Sequence, residues 1–374
     1  MNDSRMPDER LDTTVVDPIG AEQNSRREAP SISCGSTKLQ SDKPPTSVHA
    51  LRPGDIKIVA ALGDSLGAAN GADAVTFLGV AFEYRGLSFS GGCDNTVEQH
   101  ASIANILRQF SPTLFGCSAG IGKYNKFPVA RFNVAIPMSV VGHLFDQVDY
   151  LRKIMKENLR EDEFKNNWKL INLHVGGNDL CESCKSDNHL PATFARHVYE
   201  VALKVKKLIP RAIVNIAGPP HVEMINEIHK RHYLCKLYSK LECACLRQLS
   251  HAELQKRAAA YYTEMLKYER DIEFLNDDTF TTVYQPFVNG ILKVPRKSRG
   301  RIDLSYFAPD CFHFSKKSHS GCGKMLWTNL MEPIGHKTVI TSMKGTQRLA
   351  PKCPDPDCPL IRTVKNSENC KKFL

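Results

Sequence analysis

Four short apolar runs, each rich in Val, Ile and Leu and each closing on a glycine or proline, constrain this chain more than any other feature. They are Asp55-Ile-Lys-Ile-Val-Ala-Ala-Leu-Gly-Asp-Ser65, Phe132–Pro137 (FNVAIP), Trp168–Asp179 (WKLINLHVGGND) and Ala212–Pro220 (AIVNIAGPP). Nearly continuous hydrophobicity, without alternation, is the mark of strands covered on both faces. Between them lie longer segments with helical spacing, at 98–110, 139–159, 191–209 and 250–270. Strands alternating with helices predict an α/β fold with a mainly parallel sheet. A short fifth strand near 281–288 and a last helix near 320–333 complete the expected three-layer α/β/α sandwich.

The chain has 374 residues, of which 42% are hydrophobic and 24% charged, which fits a folded globular protein and excludes a fibrous or wholly disordered one. No apolar run approaches the roughly 18 residues needed to span a bilayer. Residues 1–50 are polar and without apolar periodicity and read as a disordered tail; 51–342 form the working domain; 343–374, rich in Cys, Pro and Lys, read as an extended or bridge-tethered segment. The only glycosylation sequon is Asn2-Asp3-Ser4. Lys and Arg exceed Asp and Glu by 50 to 40, a net charge of +10 that favours anionic surfaces. The clusters at 204–207 and 293–301 stand beside no nucleic-acid-binding signature, so a solvated basic surface is the simpler reading and no nucleic-acid partner is expected.

Thirteen cysteines point to an oxidising compartment, and the odd count leaves at least one thiol free or paired with another chain, with connectivity not readable from spacing. Against export stands the N-terminal sequence, which has no apolar segment of the signal-peptide kind; the chain reads as a version without its export signal. Zinc is the competing use of cysteine, through Cys181-x2-Cys184 and His229-x2-His232-x2-Cys235, but no second Cys-x2-Cys completes a set of four ligands, and neither metal nor cofactor is expected.

In open parallel sheets the ligand site lies beyond the carboxyl ends of the strands. The residues there are Gly63-Asp64-Ser65-Leu66, Pro137-Met138-Ser139, Gly176-Gly177-Asn178-Asp179 and Gly218-Pro219-Pro220. A serine at a strand-to-helix turn exposes both its hydroxyl and its backbone N–H, which suits a nucleophile that also binds an oxyanion. The bland alternative is a capped turn. Paired glycines beside Asn178 let the backbone approach a ligand while the amide donates a hydrogen bond. Downstream, Asp310-Cys311-Phe312-His313 sets a carboxylate three residues before an imidazole, close enough to hold its tautomer. Asp64 and Asp179 are expected to support the site by accepting backbone N–H groups rather than to act as a carboxylate pair. His174 and His221 are expected to be structural, or at most to line a pocket; Tyr261, Tyr262 and Met265 are expected in the core.

Taken in order, Gly63-Asp64-Ser65-Leu66, Gly177-Asn178-Asp179 and Asp310-x2-His313 resemble the GDSL, or SGNH, hydrolases. The stretches GDSLGAANGA, EYRGLSFSGG, ASIANILRQFSP, FNVAIP, GGNDLCESC and DCFHFSKKSHS resemble the phospholipase B subfamily, over about 55–335. The resemblance implies a flavodoxin-like fold, a serine esterase acting on phospholipid or lysophospholipid esters, peripheral contact with a lipid surface, and a location that is secreted or at the extracellular face of a membrane. It implies Ser65 as nucleophile, His313 as base and then acid, and Asp310 as its orienter. The oxyanion donors would be the Ser65 N–H, the Asn178 side chain and a third N–H that the family takes from glycine. Here that position is Met138, which raises an alternative, a lipid-binding relative silenced by a distorted donor, and predicts a faster enzyme when Met138 is made glycine. Gly67, where threonine is common in the subfamily, is a milder departure. A GxSxG elbow is absent, which disfavours the ordinary α/β-hydrolase fold.

Overall fold

The computed structural model describes residues 32–230, 232, 235–236 and 243–374; the sequon at Asn2 lies outside them. Its centre is a fully parallel sheet of four strands in the order β1 (Ile56–Gly63), β2 (Trp168–His174), β3 (Ala212–Ala217) and β4 (Phe280–Tyr284). Nearly every residue of these strands is buried, as expected when helices cover both faces. The helices that position the site are α1 (Ser65–Ala68), α2 (Ile103–Arg108), α3 (Leu144–Asn158), α4 (Gly177–Glu182), α5 (Pro191–Leu208), α6 (His251–Leu266) and α7 (Lys316–Met331).

Local sequence explains these elements. In α3, Leu144, Val148, Leu151 and Met155 recur at three- and four-residue spacing and are all buried. Pro191 opens α5, where its missing N–H costs nothing. Ser250 and Glu253 form a reciprocal capping box at the start of α6, with bonds of 3.2 and 2.8 Å. Helices α3, α5 and α6 pack side by side, whereas α7 packs with α2. Tyr261, Tyr262 and Met265 of α6 lie in the core as expected.

Of the expected strands, the one at 132–137 does not form, and the sheet has four strands rather than five. The free edge of β1 is divided between two short segments. Phe115 pairs with its lower half, through Val59 N–H to Phe115 O (2.9 Å) and Phe115 N–H to Lys57 O (2.9 Å). Residues 132–136 pair with its upper half, through Ala61 N–H to Phe132 O (3.1 Å), Val134 N–H to Ala61 O (2.9 Å) and Ile136 N–H to Gly63 O (3.0 Å). On the outer side, the fully buried Arg85 guanidinium donates to Asn133 O (2.8 Å) and Ala135 O (2.6 Å) while pairing with Glu83. A buried cation therefore satisfies carbonyls that a neighbouring strand would otherwise take.

Six disulfides join Cys34 to Cys353, Cys93 to Cys117, Cys181 to Cys243, Cys184 to Cys245, Cys235 to Cys311 and Cys358 to Cys370, leaving the buried Cys322 as a free thiol. The zinc alternative is thereby overturned, because Cys181, Cys184 and Cys235 are all consumed in bridges. Residues 343–374 lie against the domain: Ile361 N–H donates to Leu51 O (2.7 Å) and Arg362 N–H to Leu330 O (3.0 Å). Among the described residues no helix is long and apolar enough to cross a membrane.

A row of buried amides crosses the sheet. Gln285 donates to Asn215 (2.8 Å), Asn215 to Asn172 (2.9 Å), and Asn172 to the Ser90 carbonyl (2.6 Å). Asn172 and Asn215 are direct partners in the register of β2 and β3. Asn215→Leu would orphan the Asn172 oxygen and the Gln285 amide, so it is expected to destabilise the fold by about 3 kcal/mol. Chemical denaturation checks this, and a loss under about 1 kcal/mol would show the row to be dispensable.

Candidate active site

At the carboxyl end of β1 the chain turns sharply into α1. Gly63 has φ 150°, and a Cβ there would stand 2.1 Å from the His174 carbonyl oxygen, so only glycine lets the two strand ends lie this close. Asp64 caps α1, its Oδ1 accepting the Leu66 N–H at 2.9 Å. Ser65 is consequently the first residue of the helix, where its own N–H is free of the helical ladder.

The Asp310–His313 segment meets it from the far end of the sequence. Asp310 Oδ1 accepts the N–H groups of Phe312 and His313, both at 3.0 Å, while Oδ2 lies 2.5 Å from His313 Nδ1. His313 Nε2 lies 2.9 Å from Ser65 Oγ. Hydroxyl, imidazole and carboxylate thus form one continuous hydrogen-bonded row among buried residues. Burial raises the Asp310 pKa, but the hydrogen bond and charge of His313, with the two N–H groups, outweigh it and hold the carboxyl below its usual range. Chemically, such a row can draw a proton from the serine onto a ring whose tautomer the carboxylate fixes. Cys311, between the two residues, has φ 61° and is bridged to Cys235.

Asn178 lines the same cleft as Ser65, at the start of α4. One hydrogen of its amide goes to Ser139 O at 2.9 Å, which fixes the side chain and leaves the other to aim elsewhere. Gly176, with φ 118°, makes this turn; a Cβ there would press on Phe194 and Pro219 at 2.8 and 3.0 Å. Gly177, the first residue of α4, lies on the cleft wall. Asp179 is fully buried and accepts the Val141 N–H (3.0 Å) and His189 Nδ1 (3.1 Å). Asp64 and Asp179 therefore each accept a backbone N–H.

Met138 lies on the loop whose Ser139 anchors Asn178, and it has φ 63°. Its side chain is 82% exposed and crowds nothing. The residue therefore takes the left-handed conformation that glycine would favour, at a cost of about 1–2 kcal/mol. With the backbone already in that conformation, the silent alternative is not favoured.

Sequence reading missed two groups. Gln147 of α3, only 1% exposed, accepts from Gly63 N–H (2.9 Å) and donates to Gly63 O (2.8 Å) and Ser139 Oγ (3.1 Å), clamping the strand end to the Met138 loop. Its signal was a lone amide inside the apolar stripe of that helix. Glu223 is buried with Oε1 2.7 Å from Nδ1 of His221, and His221 lines the cleft beside Ser65. By contrast His174 is sealed beneath Phe89, and burial lowers its pKa to about 4. The rest of the cleft is apolar, walled by Leu66, Val222, Met224, Ile225, Phe307 and Phe312, with an empty volume of about 460 Å³ that includes its open mouth.

The fold and this site define a protein of parallel α/β architecture with a polar Ser–His–Asp row at its strand ends. Residues 59–324 match the GDSL-like Lipase/Acylhydrolase family, and the chain belongs to it. It is similar to "Phospholipase B1, membrane-associated" of Homo sapiens, at 37% identity over 351 residues, covering 91% of this chain and 24% of the relative. The Mus musculus protein of the same name is 38% identical over 340 residues, covering 88% and 23% respectively. The chain thus spans about a quarter of the length of the curated relatives it matches.

Burial pushes the Asp64 pKa up to about 7, against the pull of the Leu66 and Gly67 N–H groups and of His313. In the unfolded chain the same carboxyl ionises near 3.8. Its contribution to stability is therefore full below about pH 4 and is lost as pH rises to about 7. Relative to Asp64→Asn, which keeps the cap and removes the charge, the native protein should lose stability across that window and no further above it. Denaturation midpoints of the two proteins across pH 4–8 check this; a constant difference would mean that the carboxyl does not titrate there.

Proposed function

We propose that the protein is a serine esterase that hydrolyses acyl esters of glycerophospholipids and lysophospholipids. The observation that carries the reading is the Ser65–His313–Asp310 row, with contacts of 2.9 and 2.5 Å, opening on an apolar cleft. The names of the relatives supply the phospholipid, and the cleft walls suit an acyl chain. In this reading Ser65 Oγ attacks the ester carbonyl as its proton passes to His313 Nε2. Asp310 stabilises the imidazolium, and the Ser65 N–H, the Met138 N–H and the Asn178 amide bind the tetrahedral oxyanion. The C–O bond then breaks, His313 returns the proton to the leaving alcohol, and water deacylates Ser65 by the reverse path.

Residues 51–342 carry every group that this mechanism uses and are taken as the hydrolase unit. Six bridges, with one thiol left over, are what an oxidising compartment produces, so we place the protein outside the cytosol, secreted or at an outer membrane face, touching lipid peripherally through its basic surface.

A fluorophosphonate probe should label the wild type and not Ser65→Ala, and phospholipid hydrolysis by Ser65→Ala or His313→Asn should fall by roughly 10⁴-fold. Absence of labelling in the folded wild type would defeat the reading. Activity should decline from pH 8 to pH 5 as the base is protonated, whereas a flat profile would exclude His313 as that base. Because Met138 already holds φ 63°, Met138→Gly keeps the donor and relieves strain, so its kcat should equal or exceed that of the wild type. A hundredfold drop in kcat, about what one such donor is worth, would show that the methionine side chain rather than the backbone alone holds that N–H in place.

A further inference from the structure

The segment after α1 is among the most apolar loops of the chain, and the fold leaves it outside. Residues 74–82 read Ala-Val-Thr-Phe-Leu-Gly-Val-Ala-Phe, and the short helical turn Leu78–Ala81 within them contains no buried residue. Val75 is 92% exposed, Leu78 84% and Phe82 57%. Ile121, 51% exposed, adjoins them because Gly122 N–H donates to Glu83 O at 3.0 Å. Scattered exposed apolar residues need no explanation; four in one cluster at the rim of a lipolytic site do.

The loop is fastened at its root to both halves of the site. Asn70 N–H donates to Ser65 O (3.0 Å), Gly71 N–H to Phe82 O (3.0 Å) and Tyr84 N–H to Ala69 O (3.2 Å). On the other side, Lys316 N–H donates to Ala72 O (2.5 Å), three residues beyond His313, and a Cβ on Gly71 would stand 3.1 Å from Ala308 and 3.2 Å from Val80. The exposed side chains are therefore carried on a rooted turn beside Ser65, rather than on a free arm.

We propose that Val75, Leu78, Phe82 and Ile121 form the lip through which the protein seats on a phospholipid surface and presents the cleft to single lipid molecules; this rests on the esterase reading above. Charge favours that occupant. Lys123 and Lys126 are exposed beside Ile121 and Lys316 stands at the loop's base, against the single acid Asp73 within the loop, in a chain of net charge +10. Size disfavours a second copy of the chain: four side chains supply a few hundred Å² of apolar area, short of the roughly 800 Å² per partner of a standard stable interface.

The test compares wild type with Val75→Ser/Leu78→Ser/Phe82→Ser on vesicles of phosphatidylcholine containing phosphatidylserine and on a water-soluble short-chain ester. Vesicle binding and vesicle hydrolysis should both fall by about tenfold or more, with soluble-ester turnover unchanged within about twofold. Unchanged vesicle binding, or equal losses on both substrates with the denaturation midpoint preserved, would overturn the proposal. So would sedimentation showing a wild-type dimer that the substitutions dissociate. A Val75→Trp protein covers the case of a misfolded triple variant: its emission should shift to the blue on vesicles, and a spectrum indifferent to lipid would overturn the assignment. A wild type that binds vesicles through the lip but cleaves neither substrate would remove the esterase reading and leave the lip standing.

Discussion

The 2.9 Å contact between His313 Nε2 and Ser65 Oγ joins residues 248 positions apart, and its geometry is only as good as the restraints on each side. On the serine side those restraints are a steric fit and a cap: Gly63, which alone fits against the His174 carbonyl, forces the turn, and Asp64 caps the helix that begins at Ser65. On the histidine side they are local hydrogen bonds. Asp310 holds its own loop by accepting two backbone N–H groups before its second oxygen reaches the imidazole, and Ala308 N–H closes the turn onto His313 O at 2.8 Å. A carboxylate that orients both backbone and ring fixes the imidazole without asking the rest of the protein to do so.

Disulfides extend that logic outward. Cys311, flanked by Asp310 and Phe312, is tied to Cys235. Cys181 of the Asn178 helix and Cys184 just beyond it are tied to Cys243 and Cys245. The cysteines of 235–245 thus anchor two of the segments that bear site residues. Loop-borne functional groups gain from such ties because loops otherwise sample many conformations. The odd thiol, Cys322, is buried in α7, where burial pushes its pKa far up and leaves it inert.

Much of this was legible in the sequence because each feature was local. Continuous apolar runs marked β1, β2 and β3, three- and four-residue apolar spacing marked the long helices, and Asp310-x2-His313 is a short-range geometry that a single turn can satisfy. What could not be read depended on distant partners. Nothing within FNVAIP says that its carbonyls are claimed by Arg85, far earlier in the chain, or that Phe115 occupies half of the same strand edge. The cysteine pairing and the Gln147 clamp are of the same kind: each residue is ordinary until the fold brings its partner. The left-handed backbone at Met138 was legible only as a question, because a side chain cannot announce a φ that its own preferences oppose.

That question is decided by magnitudes. On the proposed mechanism the Met138 N–H is one of three oxyanion donors, and losing such a donor costs roughly 2.7–4 kcal/mol of transition-state stabilisation. Holding a non-glycine residue at φ 63° costs about 1–2 kcal/mol of folding free energy. The two costs fall on different states: the first slows every turnover, whereas the second is met once by a domain with a large buried core and six disulfides. The surrounding bonds are what enforce the costlier backbone: Ile136 N–H to Gly63 O before it, Ser139 N–H to Ile136 O across it, and Asn178 to Ser139 O after it. The loop is pinned on both sides of the methionine, and its long side chain extends into solvent. A residue poorly suited to the conformation is thus held in it, and rigidity elsewhere carries the strain.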